Sequence, residues 1–96
     1  MFRTWDHERG GGLGRQAATG QLADVAELIS HPHPAPLRRR LLSVASMLAL
    51  TIASMAADSG DTAASYRYLG AALESAREAR NPELGAGCQR HSAAHA

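Results

Sequence analysis

Three stretches of the chain repeat their apolar residues at three- and four-residue spacing, the period of one helix face. The first runs from Leu13 to Ser30, with Leu13, Ala17, Leu22, Val25, Ala26 and Ile29 as its apolar positions. Gly20 lies inside it and costs about 1 kcal/mol relative to Ala, so the first turns are expected as a separable piece. The run His31-Pro32-His33-Pro34-Ala35-Pro36 ends this segment, because Pro disfavours helix in the residue before it. The second stretch runs from Leu37 to Asp58, with Pro36 suited to its first turn. Its part from Leu41 to Ala57 carries no charge, and Ala45, Ala49, Ala53 and Ala57 recur every four residues as a ridge of small side chains. Ser59-Gly60-Asp61 then breaks the pattern, with Gly60 suited to a left-handed cap position.

The third stretch starts with Asp61 or Thr62 as N-cap and runs to Arg80. Tyr66, Leu69, Leu73 and Ala76 form its apolar stripe, and Glu74 and Arg77 an i,i+3 ion pair worth a few tenths of a kcal/mol. Asn81-Pro82 ends it. Pro82-Glu83-Leu84 has the look of a new helix start with Asn81 as its cap, but Gly85 to Ala96 contains no large apolar residue to sustain one. Residues 81–96 are therefore expected to be a disordered tail, and residues 1–12 a flexible N-terminal segment. The predicted fold is all-α, an antiparallel helical hairpin plus one preceding helix, occupying residues 13–80.

Composition supports helix over strand. Ala supplies 20 residues and Leu 11, against 4 from Val and Ile together and 4 aromatics. All ten basic residues are Arg, and with nine acids the net charge is +1, without the basic field of a nucleic-acid binder. One cysteine excludes an internal disulfide framework and suits a reducing compartment. Residues 1–12 place Arg, Asp, His and Glu where a signal peptide needs an apolar run, so a cytoplasmic location is expected.

The motifs that suggest chemistry have simpler readings. Gly10-Gly11-Gly12-Leu13-Gly14-Arg15 resembles a phosphate loop but lacks the Gly-Lys-Ser/Thr ending and follows no strand, so it reads as a plain loop. Cys88, His91 and His95 have C-x2-H-x3-H spacing, yet zinc takes four ligands or three plus water on a fixed scaffold, and no metal or other cofactor is expected. His31 and His33 read as linker residues. Asp6-His7-Glu8 and the Asp58/Asp61 pair lack a pocket to shift a pKa, and no catalytic residue is assigned. Arg38-Arg39-Arg40 sits against the helix dipole at the start of the second segment and reads as a solvated helix end, with an anionic contact as its alternative.

The hairpin resembles a tetratricopeptide-type repeat when Gly60-Asp61 is set on the repeat's turn. Ile52-Ala53 then falls on the Leu-Gly pair of the first helix, Ser65 on the small position of the second, Tyr68-Leu69 on its aromatic pair and Ala72-Leu73 on its Ala-Leu pair. Ala49 and Ala56 stand where the repeat usually has Trp and Tyr. Over a longer stretch, Trp5-Asp6 with Gly10-Gly11-Gly12-Leu13, Gly20-Gln21-Leu22, and Asp58-Ser59-Gly60 before Tyr66-Arg67-Tyr68 resemble bacterial Xre-type helix-turn-helix transcriptional regulators, in the tetratricopeptide-like region that follows their DNA-binding domain. The likeness covers residues 2–86, and the end of the pattern at Ala86 suggests a truncated regulator.

The resemblance implies a non-catalytic interaction or sensor segment that does not itself bind nucleic acid. Its expected partner is a protein or peptide, or a second copy in a homo-oligomer. Ala45, Ala49 and Ala53 on the small ridge and Tyr66, Leu69 and Leu73 on the stripe are the expected interaction residues. Two alternatives compete. Residues 41–57 would give about 25 Å of uncharged helix, at the short end of a membrane span, although Ser43, Ser46, Thr51 and Ser54 weaken its hydrophobic drive. The other alternative is a non-functional truncation product.

Overall fold

The computed structural model describes residues 12–95, which form four helices: α1 (Gly12–Ile29), α2 (Ala35–Asp58), α3 (Thr62–Ala79) and α4 (Pro82–His95). No strand occurs among the described residues, and the chain is all-α. The segment expected to be flexible lies outside the described residues except for Gly12, which opens α1.

Each helix end follows from a local residue. α1 runs unbroken through Gly20 and stops before the proline-rich connector. His33 Nε2 donates to the Leu28 carbonyl at 2.6 Å and Arg38 Nη1 to that of Ile29 at 3.0 Å. Two side chains from beyond the helix thus add donors to the carbonyls of its last turn, that of Leu28 also accepting from the His31 N–H at 3.1 Å. α2 begins two residues earlier than Leu37, with Pro36 in its first turn. After α2, Gly60 takes φ +82°, the left-handed conformation that glycine adopts without strain. Asp61 then caps α3, its carboxylate accepting from the Ala64 N–H at 3.2 Å.

The expected hairpin is α2 and α3. Two buried serines fix its register. Ser46 on α2 donates to the carbonyl of Ala72 on α3 at 2.7 Å, and Ser65 on α3 donates to the carbonyl of Ala53 on α2 at 3.0 Å. Moving seven residues forward on α2 moves the partner seven back on α3, as antiparallel pairing requires. A side chain as short as serine reaches a neighbouring backbone only where the helices lie close. Ala45, Ala49, Ala53 and Ala56 on α2, with Ala64, Ala72, Ala76 and Ala79 on α3, are buried and permit that approach. The small ridge turns from Ala53 to Ala56 rather than Ala57, in keeping with 3.6 residues per turn. α1 packs antiparallel on α2 through Ala18, which is buried, and Leu22, Val25 and Ile29, which are half-buried. Its start is tied to the α2–α3 turn by Arg15 and Asp61, 3.1 Å apart.

The tail is the main correction. Residues expected to be disordered form α4, which lies along α3 and reaches α2. Arg80 turns the chain in a left-handed conformation (φ 56°), Asn81 Oδ1 accepts from the Leu84 N–H at 3.2 Å, and Pro82 takes the first helical position. Asn81 also donates through Nδ2 to Ser43 Oγ at 3.3 Å, tethering this corner to α2. Docking does not need large side chains. Cys88 is fully buried in one cluster with Ala49, Ala53, Leu69 and Ala72.

Candidate interaction surface

The six residues expected to meet a partner are distributed unequally. Ala45, Ala49, Ala53 and Leu69 are buried within the molecule, Leu73 is half-buried against the core cluster, and Tyr66 is 52% exposed. The small ridge and most of the stripe are therefore used inside the fold, and of the six only Tyr66 is largely open to an outside partner. The ridge fits a close helix neighbour, and that neighbour is α3.

The face of α2 that no other helix covers carries large apolar residues instead. α2 turns Leu42, Ala45, Ser46, Ala49, Ile52, Ala53 and Ala56 inward and places Ser43 and Ser54 beside α4. At 100° per residue, the remaining arc holds two rows. One row is Leu37, Val44, Leu48 and Met55; the other is Arg40, Met47, Thr51 and Asp58. Leu37, Val44 and Met47 are 43%, 44% and 56% exposed, Leu48 and Met55 are half-buried, and Arg40, Thr51 and Asp58 are exposed. The Thr51 hydroxyl donates to the Met47 carbonyl at 2.9 Å, so this residue adds a methyl group rather than a free donor to its row. Scattered exposed leucines are ordinary, whereas adjoining ones on a single helix mark a contact face.

Charges frame this face at both ends. Arg39 and Arg40 stand exposed in the opening turns of α2 and Asp58 at its close. No acid lies in the first turn of α2 and no base in its last. Both charges oppose the helix dipole, which favours anions at the start and cations at the end. Arg38, the other member of the cluster, has a structural position: it meets the Ile29 carbonyl and lies 3.7 Å from Glu78 on α3.

The titratable groups elsewhere serve the fold. The N–H of Ala64, and then the guanidinium of Arg15, hold the Asp61 carboxyl below the usual carboxylate range. Burial pushes the Cys88 thiol up, partly offset by a hydrogen bond with Ser46. His91, grouped with Cys88 by spacing, sits half-buried on α4 with Nδ1 3.4 Å from Ser54 Oγ. Cys88 faces the core, and among the described residues no group of three or more His, Cys, Asp or Glu side chains converges on one point. A solvent-open cleft between α3 and α4 is lined by Leu73, Arg77, Arg80, Asn81 and Gln89 and brings no acid–base pair together.

The sequence reading missed the outer face of α2 because the whole stretch 41–57 is apolar, which hides one face among several. The separating signal is the pair of rows at seven-, four- and seven-residue steps, one of them ending in Arg40 and Asp58. No family model matches the chain, and neither a curated protein nor a solved structure matches it.

Proposed function

We propose that the chain is a non-catalytic helical interaction segment that works by presenting the outer face of α2 to a protein partner. The observation that carries this reading is the run Leu37, Val44, Met47, Leu48 and Met55, which remains at the surface although α1, α3 and α4 all pack on the same helix. A monomeric domain gains by burying such residues, and methionines in particular recur at adaptable binding surfaces. The resemblance to the effector region of Xre-type regulators fits this role. It would assign DNA reading to a domain outside this stretch.

A second reading rests on a separate observation. α2 is, among the described residues, the one helix long and apolar enough to cross a membrane by length and composition, an 18-residue window within it having a mean hydropathy of 1.7. In that reading α2 inserts into a bilayer and the hairpin opens.

A photo-cross-linking residue at position 47, compared with one at exposed Gly70 on α3, separates the two in cells. Protein adducts at 47 and none at 70 are expected. Lipid adducts at 47, or no protein adduct there, would overturn the interaction reading.

A further inference from the structure

We infer that the partner of the α2 face is a second copy of this chain, joined antiparallel about a two-fold axis near the middle of α2. The inference rests on the interaction reading above and names its occupant.

Charge complementarity within one row selects a second copy as the occupant. Arg40, Met47, Thr51 and Asp58 are spaced seven, four and seven residues apart, so the row reads the same in reverse, with opposite charges at its ends. Laid against itself antiparallel, Arg40 of each copy meets Asp58 of the other, and Met47 meets Thr51. A two-fold interface requires this self-complementarity: if residue i contacts j, then j contacts i. The second row, Leu37, Val44, Leu48 and Met55, has the same spacing and supplies the apolar flank.

The pairing also accounts for the charges that α2 places unfavourably. Arg40 faces the wrong end of its own helix dipole, and so does Asp58. Beside an antiparallel copy, Arg40 lies at the carbonyl end of the other α2 and Asp58 lies at its N–H end, the favourable arrangement for both. A parallel pair would instead set Arg40 against Arg40. A single helix face is smaller than the roughly 800 Å² per partner of a standard interface, so reversible association at high micromolar concentration is expected.

Sedimentation of the purified full chain over a concentration series tests the inference. Self-association is expected, and Met47→Glu should abolish it while leaving the circular dichroism unchanged. Arg40→Glu and Asp58→Arg should each weaken association about tenfold. Mixing these two variants should restore it, because each then offers the other opposite charges at both ends. A chain that stays monomeric throughout overturns the inference. So does a mixture that associates no better than either variant alone. If the chain is monomeric while position 47 cross-links to a protein of different mass, self-pairing fails and the interaction reading stands. Flotation with phosphatidylglycerol vesicles in place of association overturns both.

Discussion

Ser46 on α2 and Ala72 on α3 are joined by a 2.7 Å hydrogen bond from a fully buried hydroxyl to a backbone carbonyl. Because Ser46 is fully buried, its hydroxyl has no exchange with water to replace that bond. Ser46→Ala should cost about 1 kcal/mol, the net value of an ordinary buried hydrogen bond. Ser46→Val should cost more, about 1–3 kcal/mol beyond the lost bond, because one methyl group takes the place of the hydroxyl and the second has no space between closely packed helices. Urea unfolding followed by circular dichroism measures both.

Gly20 and Gly70 lie in helix interiors at exposed positions, and a Cβ built on either meets nothing within 4 Å. Gly20→Ala and Gly70→Ala should each stabilise the chain by about 0.5–1 kcal/mol, through helix propensity and reduced freedom of the unfolded chain. Gly60→Ala has equal space but φ +82°, and should destabilise. Opposite signs in thermal melts of the three variants would separate backbone conformation from packing.

The Asp61 carboxyl titrates below its ordinary value of 3.8 because the Ala64 N–H and Arg15 favour its charged form. A depressed carboxyl adds stability that is fully present above its unfolded pKa and is lost as pH falls through the lower folded value. Asp61→Asn keeps a capping oxygen but removes the charge facing Arg15. The variant should be less stable than the parent at neutral pH, and the difference should close as pH drops below 3.8. Parallel pH series of melting temperature show whether the gap narrows; a constant gap would contradict this role for the carboxylate.

Cys88 reports on the docking of α4. Its thiol is fully buried and shifted toward the protonated form, and the thiolate is the reactive species. Labelling by a thiol reagent in native buffer should be far slower than in urea, and should accelerate in Asn81→Ala, which loses both the α4 cap and the tether to Ser43. Fast native labelling would mean that α4 does not stay docked.

Leu69→Glu places a carboxylate at a position only 5% exposed, within the cluster shared by α2, α3 and α4. An unpaired buried charge exceeds what a small domain withstands, and the helical circular dichroism signal should collapse. An unchanged signal would refute the placement of Leu69.

Much of the fold was legible because it depends on local chemistry. The prolines before α2, Gly60 at the turn and Asp61 as cap each act within a few residues, and they set the hairpin. Leu69 was identifiable by its spacing from Leu73 and Tyr66. The rest depends on distant partners. Asn81-Pro82-Glu83 is a complete helix start, yet nothing local shows that Cys88 can fill a space left by Ala49, Ala53 and Ala72, all distant from it in sequence. The small ridge was correctly seen as a site of close helix approach, but only tertiary structure shows that α3 occupies it and leaves the opposite side of α2 open.

The alanine-lined interior has a thermal consequence. Its largest fully buried side chains are Ile52, Cys88 and Ser46, and most other core positions are methyl groups. Unfolding therefore uncovers little hydrocarbon, and the heat-capacity increment per residue should fall below the roughly 12–15 cal/mol/K of ordinary domains. A small increment flattens the curve of stability against temperature. Alanine also has no side-chain rotamers to surrender on ordering. The hairpin should consequently melt over a broad range and weaken little on cooling, in the manner of a structure held by backbone proximity more than by the expulsion of water.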